Sequence, residues 1–325
     1  MRVLLTGATG FVGGETARQL VRNGHSARVL VRDPGRLAPE LAVDPLLDFV
    51  RGSLERPPDG LSDGVDAVLH LAGLVDARRP RDYQRVNAEG SRRLAEEVAR
   101  RAPGARWIQV SSLAATGPGD PARDDDPPRP VSLYGASKLA GERAVAEAGF
   151  TGRVVVRPPA VYGPGDRAFL PFFRDVARGR PVLLPRRGPA RLSFVHVGDL
   201  ARALLAVLEA PLERVQGRVL HVAGPERPSL DQFLALVGES VGRRPRFLRV
   251  PSLLGWAAAA AVLPLRRLTG KPAFLSLDKM RELTAPAWTC DAAGLRRLTG
   301  WEPAWTLADG LADTARSYRA AGFLA

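Results

Sequence analysis

The stretch Thr6-Gly7-Ala8-Thr9-Gly10-Phe11-Val12-Gly13 decides the fold of this chain. It follows a short apolar run, Val3-Leu4-Leu5, and precedes a segment from Gly14 to Val21 whose apolar spacing predicts a helix. Asn23-Gly24 is typical of the point where such a helix ends. The order strand, glycine-rich turn, helix indicates the first unit of a parallel sheet that is covered by helices.

The three glycines of this turn stand at the spacing of a dinucleotide-binding turn. Gly7 permits a tight turn, Gly10 lets backbone amides approach a pyrophosphate, and Gly13 allows the helix to pack closely on the strand. The phosphate charge would then lie at the positive end of the helix. The turn therefore predicts a nucleotide cofactor at the end of the first strand.

Tyr134 and Lys138, in the run Leu133-Tyr134-Gly135-Ala136-Ser137-Lys138, are the candidate groups for the chemistry. Four residues make about one helical turn, so the phenol and the ammonium project from one helix face. A nearby positive charge favours the phenolate, and we expect Lys138 to lower the pKa of Tyr134 from its usual value near ~10. Tyr134 would then serve as a general acid or base at neutral pH.

Further motifs, in order along the chain, resemble the extended short-chain dehydrogenase/reductase family, also described as the NAD-dependent epimerase/dehydratase superfamily. The resemblance covers nearly all 325 residues. The run Val31-Arg32-Asp33-Pro34 is similar to the branch of dihydroflavonol reductases and 3β-hydroxysteroid dehydrogenases. The other motifs are Asp66-Ala67-Val68-Leu69-His70-Leu71-Ala72-Gly73, Val86-Asn87-Ala88-Glu89-Gly90, Trp107-Ile108-Gln109-Val110-Ser111-Ser112, Arg157-Pro158-Pro159-Ala160-Val161-Tyr162-Gly163-Pro164 and Phe194-Val195-His196-Val197-Gly198-Asp199-Leu200.

The resemblance and the alternation of strand and helix patterns through about residue 170 predict an α/β fold. We expect a Rossmann-type, doubly wound parallel sheet with a smaller C-terminal substrate-binding lobe. Residues 1–165 would form the dinucleotide-binding core with the catalytic residues. Residues 166–325 would form mainly the lobe, with a segment at about 192–225 returning to the core.

The resemblance implies a catalytic set of Ser112, Tyr134, Lys138 and Asn87. Tyr134 would exchange a proton with the substrate oxygen while hydride moves between the substrate carbon and the nicotinamide. Lys138 would hold the nicotinamide ribose. Ser112, with Ser111 as the alternative, would hydrogen-bond the substrate oxygen, and Asn87 would order the surrounding side chains.

The end of the second predicted strand bears on the choice of cofactor. Arg32 favours NADP, because an arginine there can bind a 2′-phosphate, whereas Asp33 keeps NAD as the alternative, because a carboxylate can bind the ribose hydroxyl. Ser53 stands where many relatives have an aspartate that contacts the adenine. The cofactor-binding residues that the resemblance implies are Gly7, Gly10, Phe11, Val12, Gly13, Arg32, Ser53, Leu54, Leu71, Ala72, Gly73, Tyr134, Lys138, Pro158 and Val161.

The substrate stays open between three hypotheses. The first is an NAD(P)-dependent oxidoreductase acting on a secondary alcohol or ketone of a hydrophobic small molecule. The second is a nucleotide-sugar epimerase, in which Arg281 would bind the diphosphate, although Leu283-Thr284 replaces the Gly-Asp usual in those enzymes. The third is a non-catalytic NADP sensor, against which the intact catalytic set argues. The implied substrate-binding residues are Ser112, Tyr162, His196 and Arg281.

Composition argues against two other classes of protein. The net charge of +13 could indicate a nucleic-acid partner, but the arginines are dispersed and no basic run is interleaved with aromatic residues. Cys290 is the sole cysteine and the four histidines lack ligand spacing, so we expect neither an internal disulfide nor a metal site.

Location and partners are predicted only coarsely. The first strand begins almost at residue 1, leaving no room for a signal peptide, so we expect a cytoplasmic protein. The apolar stretch 253–265 is too short to span a bilayer, yet Arg266 and Arg267 follow it, so peripheral membrane contact is an open alternative to a buried helix or pocket wall. The resemblance also implies a homodimer.

Overall fold

A computed structural model of the chain describes residues 1–77, 79–185, 188–269 and 277–324, including their side chains except those of residues 262–269. The strands in chain order are β1 (Arg2–Thr6), β2 (Ser26–Val31), β3 (Leu47–Arg51), β4 (Ala67–His70), β5 (Arg106–Val110), β6 (Gly119–Ala122), β7 (Arg153–Arg157), β8 (Ala160–Tyr162), β9 (Pro181–Pro185), β10 (Phe194–His196), β11 (Val219–His221), β12 (Arg246–Val250) and β13 (Trp288–Cys290).

The helices lie between these strands and after the last of them. Pro34–Arg36 forms a 3₁₀ turn and Gln84–Glu89 a π-helical stretch. The α-helices in chain order are α1 (Phe11–Arg22), α2 (Pro39–Ala42), α3 (Pro80–Tyr83), α4 (Gly90–Arg101), α5 (Leu113–Thr116), α6 (Leu133–Glu147), α7 (Leu170–Ala177), α8 (Val197–Glu209), α9 (Leu212–Val215), α10 (Leu230–Val241), α11 (Ser252–Thr269), α12 (Leu277–Leu283), α13 (Ala293–Thr299) and α14 (Leu307–Ala320).

Seven strands form one parallel sheet in the order β11-β7-β5-β4-β1-β2-β3. The strand order reverses between β1 and β4, whose last residues, Thr6 and His70, are register partners. In open α/β sheets, the crevice outside the carboxyl ends of the strands at such a reversal is where ligands bind. The predicted Rossmann-type sheet is confirmed, and it places the glycine turn at this crevice.

Both faces of the sheet are buried, which explains why its strands are continuous apolar runs rather than alternating ones. Val3 and Leu5 point into one core, which α1 and α8 cover, and Leu4 points into a second core on the opposite face, which α4 and α6 help to close. Each of these three side chains is fully buried. Burying a side chain of this size contributes roughly 1.5–3 kcal/mol, so the pattern strongly favours this arrangement.

The C-terminal half divides between the sheet and a lobe with its own core. Strand β11 lies at the edge of the main sheet, and α8 packs against α1. Leu295 and Trp301 also belong to the core of the sheet, which extends the returning segments beyond the expected 192–225. The separate core of the lobe is built around Phe173, Phe233, Leu311 and Tyr318. The boundary at residue 165 stays a prediction.

Three pairs of short parallel strands complete the described architecture: β8 with β10, β9 with β12, and β6 with β13. None of the helices in the part of the chain that the structure describes combines the length and the hydropathy needed to cross a membrane. Of the predicted apolar stretch 253–265, the side chains after residue 261 lie outside the described residues.

Candidate active site

The backbone of the glycine turn packs so closely that a Cβ atom at Gly7 or Gly13 would clash with neighbouring backbone atoms. Gly7 adopts φ +85°, and a Cβ there would lie 2.8 Å from the backbone nitrogen of Ala72. A Cβ on Gly13 would lie 2.1 Å from the carbonyl oxygen of Gly7. Helix α1 begins at Phe11, and Gly10 is the N-cap residue before it. The turn, helix end and adjoining Leu71-Ala72-Gly73 segment therefore fit a dinucleotide phosphate approached by backbone amides.

Ser112 and Tyr134 meet at the carboxyl end of the sheet. Ser112 follows β5 and caps the short helix α5, where its Oγ accepts the amide of Ala114 at 3.1 Å. The hydroxyl of Ser112 lies close enough to the phenol of Tyr134 on α6 to lower the pKa of that phenol. The carbonyl of Pro158 accepts the amide of Leu113 at 2.7 Å, which fixes the turn that carries Ser112.

Ser111 has a different set of partners from Ser112. Its hydroxyl hydrogen-bonds Glu142, which forms a buried ion pair with Arg157 (Nη2 to Oε2, 2.6 Å). Arg157 also donates to the hydroxyl of Thr116 at 3.1 Å. Ser111 thus belongs to the network beneath the site, and Ser112 is the serine that the structure brings to the tyrosine.

The pKa of Tyr134 differs from our expectation. Burial raises it to about 12, against a smaller lowering by Ser112, and the Glu282 carboxylate raises it further. Lys138, whose ammonium donates to the carbonyl of Val110 at 2.6 Å, does not offset this rise. The phenol of Tyr134 therefore keeps its proton at neutral pH.

Lys138 and Asn87 lie together beside Gly73. A Cβ on Gly73 would lie 3.0 Å from Asn87 Oδ1 and 3.5 Å from Lys138 Nζ. Burial lowers the pKa of Lys138 to about 8, while Glu142 acts in the opposite direction. Asn87 accepts the amide of Leu74 at 2.7 Å and donates to the carbonyl of the same residue at 2.9 Å. Asn87 thus fixes the backbone next to the ammonium.

A buried row of polar side chains joins the glycine turn to Asn87. Thr6 Oγ1 accepts the amide of Ala72 at 3.1 Å and lies 2.8 Å from His70 Nδ1. His70 Nε2 lies 2.9 Å from Ser91 Oγ, which donates to the carbonyl of Asn87 at 2.8 Å. Burial lowers the pKa of His70 to about 3, so the imidazole is neutral. His70 is a structural link that the sequence did not single out.

Asp278, on α12 of the lobe, is a second residue that sequence reasoning missed. Its carboxylate accepts the amides of Leu133 at 2.7 Å and Tyr134 at 3.3 Å, while Ser132 caps Gly135 at 3.0 Å. The first amides of α6 thus donate to the neighbouring Ser132 and to the distant Asp278. A carboxylate at a helix N-terminus is electrostatically favourable. No local sequence signal links positions separated by 144 residues, so only the fold reveals this contact.

Tyr83 and Glu282 complete the described surroundings of Tyr134. The rings of Tyr83 and Tyr134 have centroids 6.1 Å apart, and Tyr83 donates to the carbonyl of Val75 at 3.1 Å. Glu282 follows Asp278 by one helical turn and pairs with Lys279 at 3.0 Å. The phenol of Tyr134 is therefore bordered by an aromatic ring on the core side and by α12 on the lobe side.

The remaining predicted cofactor residues occupy varied positions. Arg32 directly follows β2 and is exposed, whereas the carboxylate of Asp33 accepts the amide of Gly35 at 3.1 Å. Ser53 Oγ accepts the amide of Arg56 at 3.3 Å, and Leu54 is buried against Gly90. Val161, on β8, is half-buried against the core of the sheet. The cofactor contacts of these residues stay predictions.

Two of the predicted substrate residues make contacts within the lobe and its junction with the sheet. Tyr162 is buried, and its hydroxyl lies 3.5 Å from the carbonyl of Thr306. His196 caps α8 through the amide of Gly198 at 3.3 Å and stacks on Trp305 with centroids 4.4 Å apart. These contacts give both side chains a packing role, and a role in binding substrate stays a prediction.

Arg281 lies on α12 and is half-exposed, with Nη1 3.6 Å from the carboxylate of Asp278. The residue predicted to bind a diphosphate is thus the neighbour of the residue that caps α6. A role of Arg281 in binding a diphosphate stays a prediction.

A sequence model of the NAD dependent epimerase/dehydratase family matches residues 3–223, which include the glycine turn, Ser112, Tyr134 and Lys138. The chain belongs to this family. The family assignment agrees with the resemblance inferred from the motifs and with the parallel seven-stranded sheet.

Two similar proteins are named as reductases. The chain is 38% identical over 99% of its length to a ceramide reductase of Caulobacter vibrioides, of which the match covers 96%. It is 31% identical over 80% of its length to a 4-hydroxy-2-methyl-3-oxo-4-farnesyl-3,4-dihydroquinoline-1-oxide ketoreductase of Stigmatella aurantiaca, of which the match covers 79%.

The solved structures show the same fold with other activities. One is a UDP-glucuronic acid 4-epimerase of Bacillus cereus in complex with NAD, which matches with a TM-score of 0.79 and 21% identity. The match covers 98% of this chain and 97% of that one. At this identity the likeness establishes the fold alone.

Proposed function

We propose that this protein is an NAD(P)H-dependent ketoreductase that reduces the carbonyl group of a lipid-like molecule to a secondary alcohol. The observation that carries the proposal is the 38% identity, over 99% of the chain, to a ceramide reductase, in a site that keeps Ser112 and Tyr134 at the carboxyl end of the sheet. Burial raises the pKa of Tyr134, so its phenol is protonated at neutral pH. A protonated phenol is the form that a reductase needs, because the carbonyl oxygen must receive a proton as its carbon receives hydride.

The side chains divide the work as follows. The cofactor, when bound, supplies the hydride from its nicotinamide. Tyr134 donates its proton to the substrate oxygen, and Ser112 donates a hydrogen bond to the same oxygen. Lys138 carries a positive charge close to the carboxyl end of β5, where it would hold the nicotinamide ribose. The carbonyl gains one hydride and one proton in total, and the tyrosine regains its proton from solvent.

The substrate class is supported by the relatives' names. Ceramide and a farnesyl-bearing quinoline oxide share a long hydrocarbon portion attached to a polar, oxygen-bearing head. The apolar side chains of α11, which packs on α12, suit such a substrate better than a nucleotide sugar. We therefore propose a ketone with a long aliphatic or isoprenoid chain, and a ceramide carrying a ketone in place of a hydroxyl is the first compound to test.

NADP is the proposed cofactor, with NAD as the alternative. Arg32 is exposed where β2 ends, and a guanidinium there suits a 2′-phosphate. The carboxylate of Asp33 is engaged with the amide of Gly35, which draws it toward its own turn. Both points support a phosphate-bearing ribose.

The test is a spectrophotometric assay of cofactor oxidation with a keto-ceramide and, separately, with UDP-glucose and UDP-glucuronic acid as sugar candidates. Cofactor consumption that is stoichiometric with alcohol formation from the lipid supports the proposal. Interconversion of a nucleotide sugar without net cofactor consumption, together with saturable binding of uridine diphosphate, would replace it with the epimerase alternative.

A further inference from the structure

Three exposed features of the C-terminal lobe lie along the ribbon of β9 and β12 and along α11, which follows it in the chain. The first is the outer face of the ribbon formed by β9 and β12. Leu183 and Leu248 are register partners there and are 63% and 52% exposed, whereas the neighbouring Val182 and Leu184 are buried. Side chains alternate between the faces of a strand, so the two leucines stand side by side on the outer face.

The second feature is the exposed face of α11, which begins two residues after β12 ends. Leu253 and Leu254 are 77% and 59% exposed. Ala257, Ala258 and Ala261 are exposed as well, at the spacing of one helix face. This face is apolar over more than two turns. An exposed patch of this kind on a folded protein commonly marks a contact with a partner or a membrane.

The third feature is a group of exposed arginines where the ribbon begins. Pro181 and Arg246 are register partners at that end. Unlike Arg249, which pairs with Asp231, these arginines have no ion-pair partner within the described residues. The group consists of Arg178, Arg180, Arg244 and Arg246. We call the four arginines, the two ribbon leucines and the exposed face of α11 the apolar–basic surface.

We propose that the apolar–basic surface docks on the surface of an anionic phospholipid bilayer. Leucines beside arginines form the pattern of proteins that lie in the membrane interface, where apolar side chains enter the acyl region and cations meet the headgroups. A second copy of the chain is a poorer complement, because its own arginines carry the same sign and the chain already has a net charge of +13.

The surface is joined to the catalytic helix by direct packing. Gly255 of α11 is in contact with Met280 of α12, since a Cβ on the glycine would lie 2.8 Å from the Met280 methyl group. Asp278, two residues before Met280, accepts the first amides of α6. A lipid leaving the bilayer beneath α11 would thus arrive on the lobe side of Tyr134. This route rests on the proposed function, whereas the docking itself does not.

The test is co-sedimentation of the full chain with large vesicles, either of phosphatidylcholine alone or with a third of the lipid replaced by phosphatidylglycerol. We expect binding to the anionic vesicles and little to the neutral ones. Arg244→Glu with Arg246→Glu should weaken it at least roughly tenfold, since each basic residue near an anionic surface contributes on the order of fivefold. Leu253→Glu with Leu254→Glu should weaken it by at least a similar factor.

Matched controls separate this surface from overall charge and stability. Arg100→Glu with Arg101→Glu makes the same change of charge on exposed arginines of α4, and Val43→Glu places a carboxylate on a side chain that is 81% exposed elsewhere. Both should bind vesicles like the wild type. Equal losses in the controls would overturn the proposal, as would wild-type binding that ignores lipid charge. A dimer that dissociates when the α11 leucines are changed, with no vesicle binding, would assign the surface to a second copy instead.

Because vesicle binding is measured without substrate, its failure and the failure of the ketoreductase assay are separate results. Catalysis on a detergent-dispersed ketone by a chain that ignores vesicles would remove the docking proposal and keep the proposed function. Vesicle binding by a chain that does not reduce the ketone would keep the docking proposal and remove the proposed function.

Discussion

The cofactor side and the lobe side of α6 are built in different ways. On the cofactor side, backbone packs against backbone: Gly13 lies on the Gly7 carbonyl, and Gly7 lies on Ala72. On the lobe side, the described contact with the start of α6 is a single carboxylate, that of Asp278. Close backbone contacts tolerate almost no variation, whereas one side-chain contact can be exchanged. We infer that the glycine-turn side holds the cofactor in one geometry, whereas the α12 side can differ between enzymes that act on different substrates.

Tyr134→Phe tests the point at which the two sides meet and should have the largest effect. The change removes the transferable proton and keeps the ring, so kcat should fall by ~10² to 10⁴. Steady-state kinetics with cofactor titration would check it. Cofactor affinity should stay within a few-fold, and Tyr83→Phe, on the neighbouring ring, should retain most of the turnover. Normal turnover by pure Tyr134→Phe enzyme would give the proton transfer to another residue.

Gly13→Ala sharpens the account of the cofactor side. The added methyl carbon would lie 2.1 Å from the Gly7 oxygen, so the turn must open, at a cost of roughly 1–3 kcal/mol or more. We expect cofactor binding weaker by about a hundredfold and a lower melting temperature. Gly104→Ala is the matched control, because a Cβ there meets nothing within 4 Å. Similar behaviour of the two variants would refute the close-packed turn.

Arg32→Ala asks whether the cofactor side also sets the choice of dinucleotide. Loss of a charge-assisted contact with a 2′-phosphate should weaken NADP binding by ~1.5–3 kcal/mol, or roughly ten- to a hundredfold, and leave NAD nearly unchanged. Calorimetric titration with each dinucleotide would measure both. Arg22→Ala, at the far end of α1, should change neither. Equal losses for NADP and NAD at position 32 would remove the assignment.

Asp278→Asn tests the lobe side. The change weakens the cap on the first amides of α6, and we expect kcat to fall by about tenfold through misplacement of Tyr134. Cofactor affinity should be unaffected, which distinguishes positioning from general loss of structure. Arg281→Leu is the control at the other end of the 3.6 Å pair and should leave turnover of an apolar ketone within a few-fold. A parallel loss of cofactor binding in Asp278→Asn would contradict the separation of the two sides.

The pH dependence should show the smallest effect. The pKa of Lys138 is lowered to about 8, so its positive charge is lost as pH rises through that value, whereas Tyr134, with a pKa of about 12, stays protonated. We expect kcat/KM for reduction to fall by about half between neutral pH and pH 8. Lys138→Arg, whose charge persists, should show no such limb. If kcat/KM of Lys138→Arg still falls as pH rises toward 8, the titrating group is a residue other than Lys138.

The sequence predicted the parallel sheet, the glycine turn and the helix of Tyr134 and Lys138 for a physical reason. The glycine spacing, the apolar runs and the four-residue offset of Tyr134 and Lys138 are local patterns with local causes. The choice between Ser111 and Ser112 was harder, because both follow β5, and only the burial of Glu142 and Arg157 shows which hydroxyl is engaged elsewhere.

The lobe side could not be predicted to the same depth. Asp278 meets α6 across 144 residues, a distance that no periodicity spans. The pKa of Tyr134 was predicted with the wrong sign, because spacing reveals a nearby lysine but says nothing about burial. Tyr162 and His196 matched motifs, yet their described partners lie in the packing against α14 and Trp305.

The row of polar side chains from Ala72 to Asn87 has only one possible direction. Ser91 has a single hydroxyl proton, which it gives to the Asn87 carbonyl, so it must receive one from His70 Nε2. The neutral imidazole then has a bare Nδ1, which receives the proton of Thr6. The side-chain donors of Thr6, His70 and Ser91 therefore all point away from the glycine turn. Because burial lowers the pKa of His70 to about 3, the imidazole stays neutral at physiological pH. The direction of the hydrogen bonds between Thr6 and Asn87 therefore does not change with pH in that range.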